Sequence, residues 1–297
     1  MLLAAVVLVA AGMALWRQWQ AVPATGLHTE LRPGPLALAS LIVLGTYALL
    51  IETWRRTLAS WGAPIPFAEA SRVWNVSNLG KYVPGKVWQI TAMTVMLQRL
   101  GVPLATSGAA AVVVTLANVV VGFLIVLLLG ASTLDVVPGG VRIAALLIGV
   151  GGASLLAAPA VVPRLARMVG RLSGRPVPPM TVPARAVWWS LAGCGIAWLL
   201  YGVAFRLFVV GVLGGASGPT LSYVVAYTGS YLLGYLAIFV PGGLGVRELA
   251  LTATLPALGL ATAPEAVLVS VASRLWLTAL ELLPGVAYLV AGSRRQR

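Results

Sequence analysis

Charge is what this sequence has least of. Only 9% of its 297 residues are Asp, Glu, Lys or Arg, against 60% hydrophobic, and the mean hydropathy is +0.96. A water-soluble chain of this length needs a charged exterior, and these residues cannot build one. Acidic side chains are the scarcest, at seven against twenty basic ones, for a net charge of +13. In a soluble protein that excess would point to nucleic acid. In a chain this apolar it points to short cytoplasmic loops whose arginines set the orientation, so no nucleic-acid partner is expected. One cysteine, Cys194, excludes an intrachain disulfide and a thiolate metal cluster. One histidine, His28, excludes a His-rich metal site. No cofactor and no metal is expected. Lysine occurs only twice, at Lys81 and Lys86, both beside a Pro-Gly pair.

What is present is a series of long apolar runs. They are continuous rather than alternating, which predicts an all-α polytopic membrane protein and not a β-barrel. A spanning helix takes about 20 apolar residues. Such runs lie at 35–54, 103–130, 138–160, 186–213 and 264–291, with a shorter one at 1–16 that reads as a retained helix rather than a signal peptide. That makes about six full spans. Two further regions, 67–98 and 219–260, are interrupted by Pro84-Gly85 and by Pro241-Gly242-Gly243. Each reads as a broken or re-entrant helical hairpin. The expected organisation is an N-terminal helix and outer loop (1–34), a first half (35–160), a basic loop (161–185) and a second half (186–297).

Arg164, Arg167, Arg171, Arg175 and Arg185 share the loop 161–185 with no acid. The positive-inside rule places that loop in the cytoplasm. Counting spans outward puts 131–137 outside and the C-terminus inside.

The two interrupted regions resemble each other. "YVPGKVW" (82–88) aligns with "FVPGGLG" (239–245), Pro84 and Pro241 lying 157 residues apart. Downstream, Gly101 and Gly259 lie 158 apart. A near-constant spacing with a shared break is the mark of an internal repeat. Three full spans separate the breaks, and an odd number makes the two copies inverted, an arrangement that recurs in transporters.

A helix broken inside a membrane leaves N–H and C=O groups that lipid cannot satisfy, so the break must line protein or a water-filled cavity. The half-helix after Pro84-Gly85 begins with free N–H groups and the positive end of its dipole. Lys81 and Lys86 flank that point, and Asn78, Tyr82 and Gln89 add amide and hydroxyl groups. The second break repeats the design with Gly242, Gly243 and Gly245, then Arg247 and Glu248. Both are suited to an anion, most naturally a phosphate. Glu52, Arg206, Glu248, Arg274 and Glu281 are expected either to pair in a buried network or to form separate structural ion pairs, Glu52 with Arg55 and Arg56 and Glu248 with Arg247 or Arg274. The tryptophans, including Trp54, Trp61, Trp188 and Trp189, are expected in an interfacial belt.

"NLGKYVPGKVWQ" (78–89) followed by "PGGLGVRE" (241–248) resembles the transmembrane domain of lysylphosphatidylglycerol synthases, which also occurs alone among flippase-like membrane proteins. The resemblance covers about residues 35–291. It implies lipid translocation, with a phospholipid or a polyprenyl-phosphate glycolipid as substrate. It carries over Asn78, Lys81, Tyr82, Pro84, Gly85, Lys86 and Gln89 as one site element and Pro241, Gly242, Gly243, Gly245, Arg247 and Glu248 as the other. Arg274, from the candidate buried charges, completes the expected substrate-binding residues. The synthases' soluble aminoacyl-transferase domain has no counterpart in this sequence, so synthase activity is not expected. No nucleotide-binding loop is present, so transport would draw on a gradient, the membrane potential or mass action. The expected location is the plasma (inner) membrane of a bacterium or archaeon. Two other readings stand beside transport: a non-transporting membrane partner of a separate lipid synthase or glycosyltransferase, and a membrane enzyme on lipid phosphates.

Overall fold

The computed structural model describes residues 31–82, 87–134, 163–164, 167–168, 170–171, 181–236 and 245–294. The short run at 1–16, the span at 138–160, most of the basic loop, and Pro84, Gly85, Lys86, Pro241, Gly242 and Gly243 lie outside the described residues.

Among the described residues the chain is all-helical. The helices are α1 (Pro33–Ala59), α2 (Phe67–Asn78), α3 (Val87–Arg99), α4 (Leu104–Leu134), α5 (Ala184–Leu213), α6 (Thr220–Leu236), α7 (Val246–Ala257) and α8 (Ala263–Arg294), with a 3-10 turn at Leu79–Tyr82 after α2. Four are long and apolar enough to cross a membrane: Pro33–Ala59, Leu104–Gly130, Ala184–Leu213 and Ala263–Val290. They coincide with four of the six expected spans, and the other two fall outside the described residues.

The two interrupted regions are interrupted in fact. α2 and α3 have 12 and 13 residues, and α6 and α7 have 17 and 12. At about 1.5 Å per residue the 12- and 13-residue helices are about 18–20 Å long. That falls short of the roughly 30 Å hydrocarbon core. Each second helix ends on a glycine in the left-handed region, Gly101 (φ 80°) after α3 and Gly259 (φ 64°) after α7. Each glycine is followed by the same backbone closure, Val102 N–H to Leu97 C=O at 3.0 Å and Leu260 N–H to Leu255 C=O at 2.9 Å. Glycine takes this conformation without the Cβ penalty and lets the chain satisfy the last helix carbonyls. The two glycines matched by spacing in the sequence thus share one local structure.

The chain divides into two compact units that interleave in sequence. One comprises Tyr47–Val73 and Met93–Trp198. Its helices pack through small and hydroxyl-bearing residues, as membrane helices do. Gly193 of α5 lies against the Thr53 side chain of α1, where any Cβ would overlap it. The Thr57 and Ser190 hydroxyls meet at 3.0 Å, and the Trp198 indole donates to the Asn118 carbonyl at 2.9 Å. Glu52 pairs with both Arg55 and Arg56, at 2.7 and 2.6 Å, as its sequence neighbourhood predicts. Trp188 and Trp189 are exposed, the latter under the Arg56 guanidinium, whereas Trp54 is fully buried. Trp54 is therefore not a belt residue: it lies on the packed face of α1, and helix packing outranks the interfacial preference of an indole.

The other unit comprises Met1–Thr46, Trp74–Ala92 and Leu199–Arg297, and it holds the described flanks of both breaks. Gly202 of α5 admits the backbone of Val224 on α6, and Gly211 admits Leu36 of α1. Trp276 of α8 stacks on Phe208 of α5 at 4.6 Å and donates its indole N–H to Ser40 Oγ at 2.9 Å. Gly285 of α8 lies against Leu79 and the Asn75 carbonyl of the first broken region.

Candidate functional site

At the first break, α2 ends at Asn78 and the 3-10 turn carries Lys81 and Tyr82. Gln89, in the first turn of α3, donates Nε2–H to Asn78 Oδ1 at 2.6 Å. This bond ties the two sides of the break together across eleven residues. Gly80 makes the closure possible: a Cβ there would come within 2.7 Å of the Gln89 backbone nitrogen and 2.9 Å of its Cα. Asn78 and Gln89, both expected as ligand groups, hold each other across the break.

At the second break, α7 begins after Gly245, whose φ of 84° stops any helix from running through. Its N–H, expected as a ligand donor, is used inside the protein: it donates to Glu248 Oε2 at 2.7 Å. This is the acidic half of a capping box, set at the usual three-residue spacing. The other oxygen of Glu248, Oε1, lies 3.6 Å from Arg274 Nε on α8. At that distance the pair is ionic and not hydrogen-bonded, and Oε1 has no hydrogen-bond partner. Of the two partners open to Glu248 in the sequence, the structure takes Arg274 and not Arg247.

Arg247 is the most unusual residue of the site. It is 5% exposed. Its guanidinium carbon lies over the rings of Tyr227 and Tyr231, 4.8 and 5.1 Å from their centroids. Those rings are themselves stacked at 6.3 Å, and Tyr201 of α5 stacks on Tyr227 at 5.6 Å. Nη2 of Arg247 is buried and has no hydrogen-bond partner. The Glu281 carboxylate on α8 acts on Arg247 electrostatically. One helix, α8, thus touches both breaks, through Gly285 at the first and through Arg274 at the second.

A family model described as the lysylphosphatidylglycerol synthase TM region matches residues 1–285. The chain belongs to that family. No curated protein matches it. Membership of the TM-region family and the four long apolar helices together make it a multi-pass membrane protein. Family membership covers both breaks and leaves the substrate open.

Motif reasoning on the TM region missed Tyr227, Tyr231 and Gly234. The signal was present: positions 227, 231 and 234 recur at intervals of four and three on α6, one stripe of a helix. A Cβ at Gly234 would stand 3.0 Å from Arg247 Cβ, so the glycine lets the arginine come in close enough to fold back over the two rings. Two tyrosines in an apolar helix read as ordinary packing until Arg247 is seen lying on them.

Proposed function

We propose that this protein is a lipid flippase or transporter that binds an anionic, phosphate-bearing headgroup between two inverted broken-helix hairpins. The observation that carries the reading is Arg247, a buried cation with a free donor at the start of a helix, where the dipole also favours an anion. A buried donor without a partner is costly, and an ionisable residue kept inside a membrane protein is a functional-site candidate by default. Three further features support the reading. The flanks of both breaks belong to one compact unit. α8 contacts both. The matching closures at Gly101 and Gly259 favour a true internal repeat. Lys81, Lys86 and Arg247 are assigned to the phosphate, with the 17-residue α6 and the three shorter helices forming re-entrant hairpins rather than full spans.

The test is reconstitution in vesicles carrying a fluorescent phosphatidylglycerol, with a membrane-impermeant quencher added outside. Protein-containing vesicles are expected to lose the inner-leaflet half of the signal, which empty vesicles and vesicles with Arg247→Met retain. Equal retention with the wild-type chain would remove transport from the reading.

The orientation is proposed from the arginines: 161–185 and the C-terminus cytoplasmic, 131–137 outside. Single cysteines at Arg175 and Ser132, in a Cys194→Ala background, are expected to differ in intact cells. Ser132→Cys should label with an impermeant maleimide, and Arg175→Cys should label only after lysis. The opposite pattern inverts the topology.

A further inference from the structure

We propose that Tyr227, Tyr231 and Gly234 form a socket that positions Arg247 and keeps its charge available, so that the guanidinium edge bearing Nη2 is the donor to a phosphate group. This rests on the headgroup reading above and assigns its specificity to residues of α6.

A buried arginine ordinarily faces a carboxylate. The Glu281 carboxylate acts on Arg247 electrostatically, but no carboxylate hydrogen-bonds its Nη2. Its neighbour Glu248 is committed elsewhere, with Oε2 on the Gly245 N–H and Oε1 toward Arg274. The guanidinium lies instead over two aromatic faces. A ring face attracts a cation through its quadrupole but carries no net charge, so it holds the arginine without neutralising it. A carboxylate in the same place would compete with any incoming phosphate.

The geometry also explains the residue type. A guanidinium is planar, so it can lie flat on the rings and still direct N–H groups outward from its edge. A lysine ammonium has no such division between a stacking face and a donating edge. The close approach at Gly234 sets the depth, since it fixes where the Arg247 side chain starts relative to rings three and seven positions earlier on α6. The stacking of Tyr201 on Tyr227 braces the platform from α5. The ligand chemistry this selects is a phosphate oxygen approaching in the guanidinium plane. It could come from a lipid headgroup or from free phosphate.

The experiment is native mass spectrometry of the detergent-purified full chain, titrated with short-chain phosphatidylglycerol and, in parallel, with inorganic phosphate. Binding of the lipid alone assigns the site to a headgroup, whereas equal binding of both assigns it to phosphate itself. Binding of neither overturns the socket and the headgroup reading together. Tyr231→Phe serves as the reference for a series in which position 231 carries phenylalanine with one, two and three ring fluorines. Fluorine drains the negative ring face at nearly constant volume. Affinity is expected to fall stepwise, by about threefold or more across the series, at unchanged melting temperature. Arg247→Lys, which keeps the charge but loses the flat stack, is expected to weaken binding about tenfold. If Arg247→Met binds like wild type, the headgroup reading fails. If Arg247→Met loses binding while the fluorine series stays flat, only the socket fails.

Discussion

Arg247→Met is expected to lose anionic-lipid binding while leaving the protein as stable as wild type, or more so. The two halves of that expectation have separate causes. A charge-assisted hydrogen bond contributes about 1.5–3 kcal/mol, so removing the donor should weaken binding about tenfold or more. Stability runs the other way because Arg247 is 95% buried with Nη2 unpartnered. Glu248 and Glu281 act on Arg247 electrostatically, but neither hydrogen-bonds Nη2, so methionine removes the cost of burying an unpartnered donor. Methionine also keeps contact with the Tyr227 and Tyr231 rings, which accept a thioether well. Thermal melting and lipid titration on the same preparation decide the matter. A variant that binds weakly and also melts well below wild type would show that Arg247 acts in folding and not at a ligand. Arg171→Ala, in the basic loop, is the control for general surface charge and should change neither quantity.

Gly202→Ala is expected to destabilise the protein strongly, and its counterpart Gly108→Ala is not. On propensity alone both should help, since alanine is favoured over glycine inside a helix by about 0.8–1.0 kcal/mol. The surroundings decide otherwise. A Cβ at Gly202 would stand 2.5 Å from Val224 Cα, a backbone atom that cannot swing aside, whereas at Gly108 it meets nothing within 4 Å. Overpacking a tight contact costs about 1–3 kcal/mol when side chains can adjust. Here α5 and α6 must part, so the upper end or beyond is expected. The damage should reach the site, because Tyr201 precedes Gly202 and stacks on Tyr227. The melting temperature of Gly202→Ala should fall by several degrees and lipid binding with it, while Gly108→Ala melts at or above wild type. Equal behaviour of the two variants would mean that α5 and α6 are not in close contact at Gly202.

The sequence by itself determined the class and the punctuation of this protein. Scarce charge and long apolar runs leave only a helical membrane fold, because hydrocarbon accepts no unpaired backbone. Pro84-Gly85 and the glycines at 242, 243 and 245 mark where helices cannot continue, and the described helices stop on either side of those points. Glu52 with Arg55 and Arg56 was legible because such pairs form within one helical turn. Tertiary structure alone decided the partners of groups far apart in sequence. Glu248 could meet Arg247 or Arg274, and only the approach of α8 to α7 settles it on Arg274. Trp54 is buried and Trp188 exposed, although each lies at the edge of an apolar run, because helix rotation and not composition sets which face packs. The socket under Arg247 joins a stripe of α6 to the start of α7, and Gly234 matters only because Arg247 arrives beside it. Helix periodicity places side chains on a face, but what meets that face depends on chain folding, which local sequence does not encode.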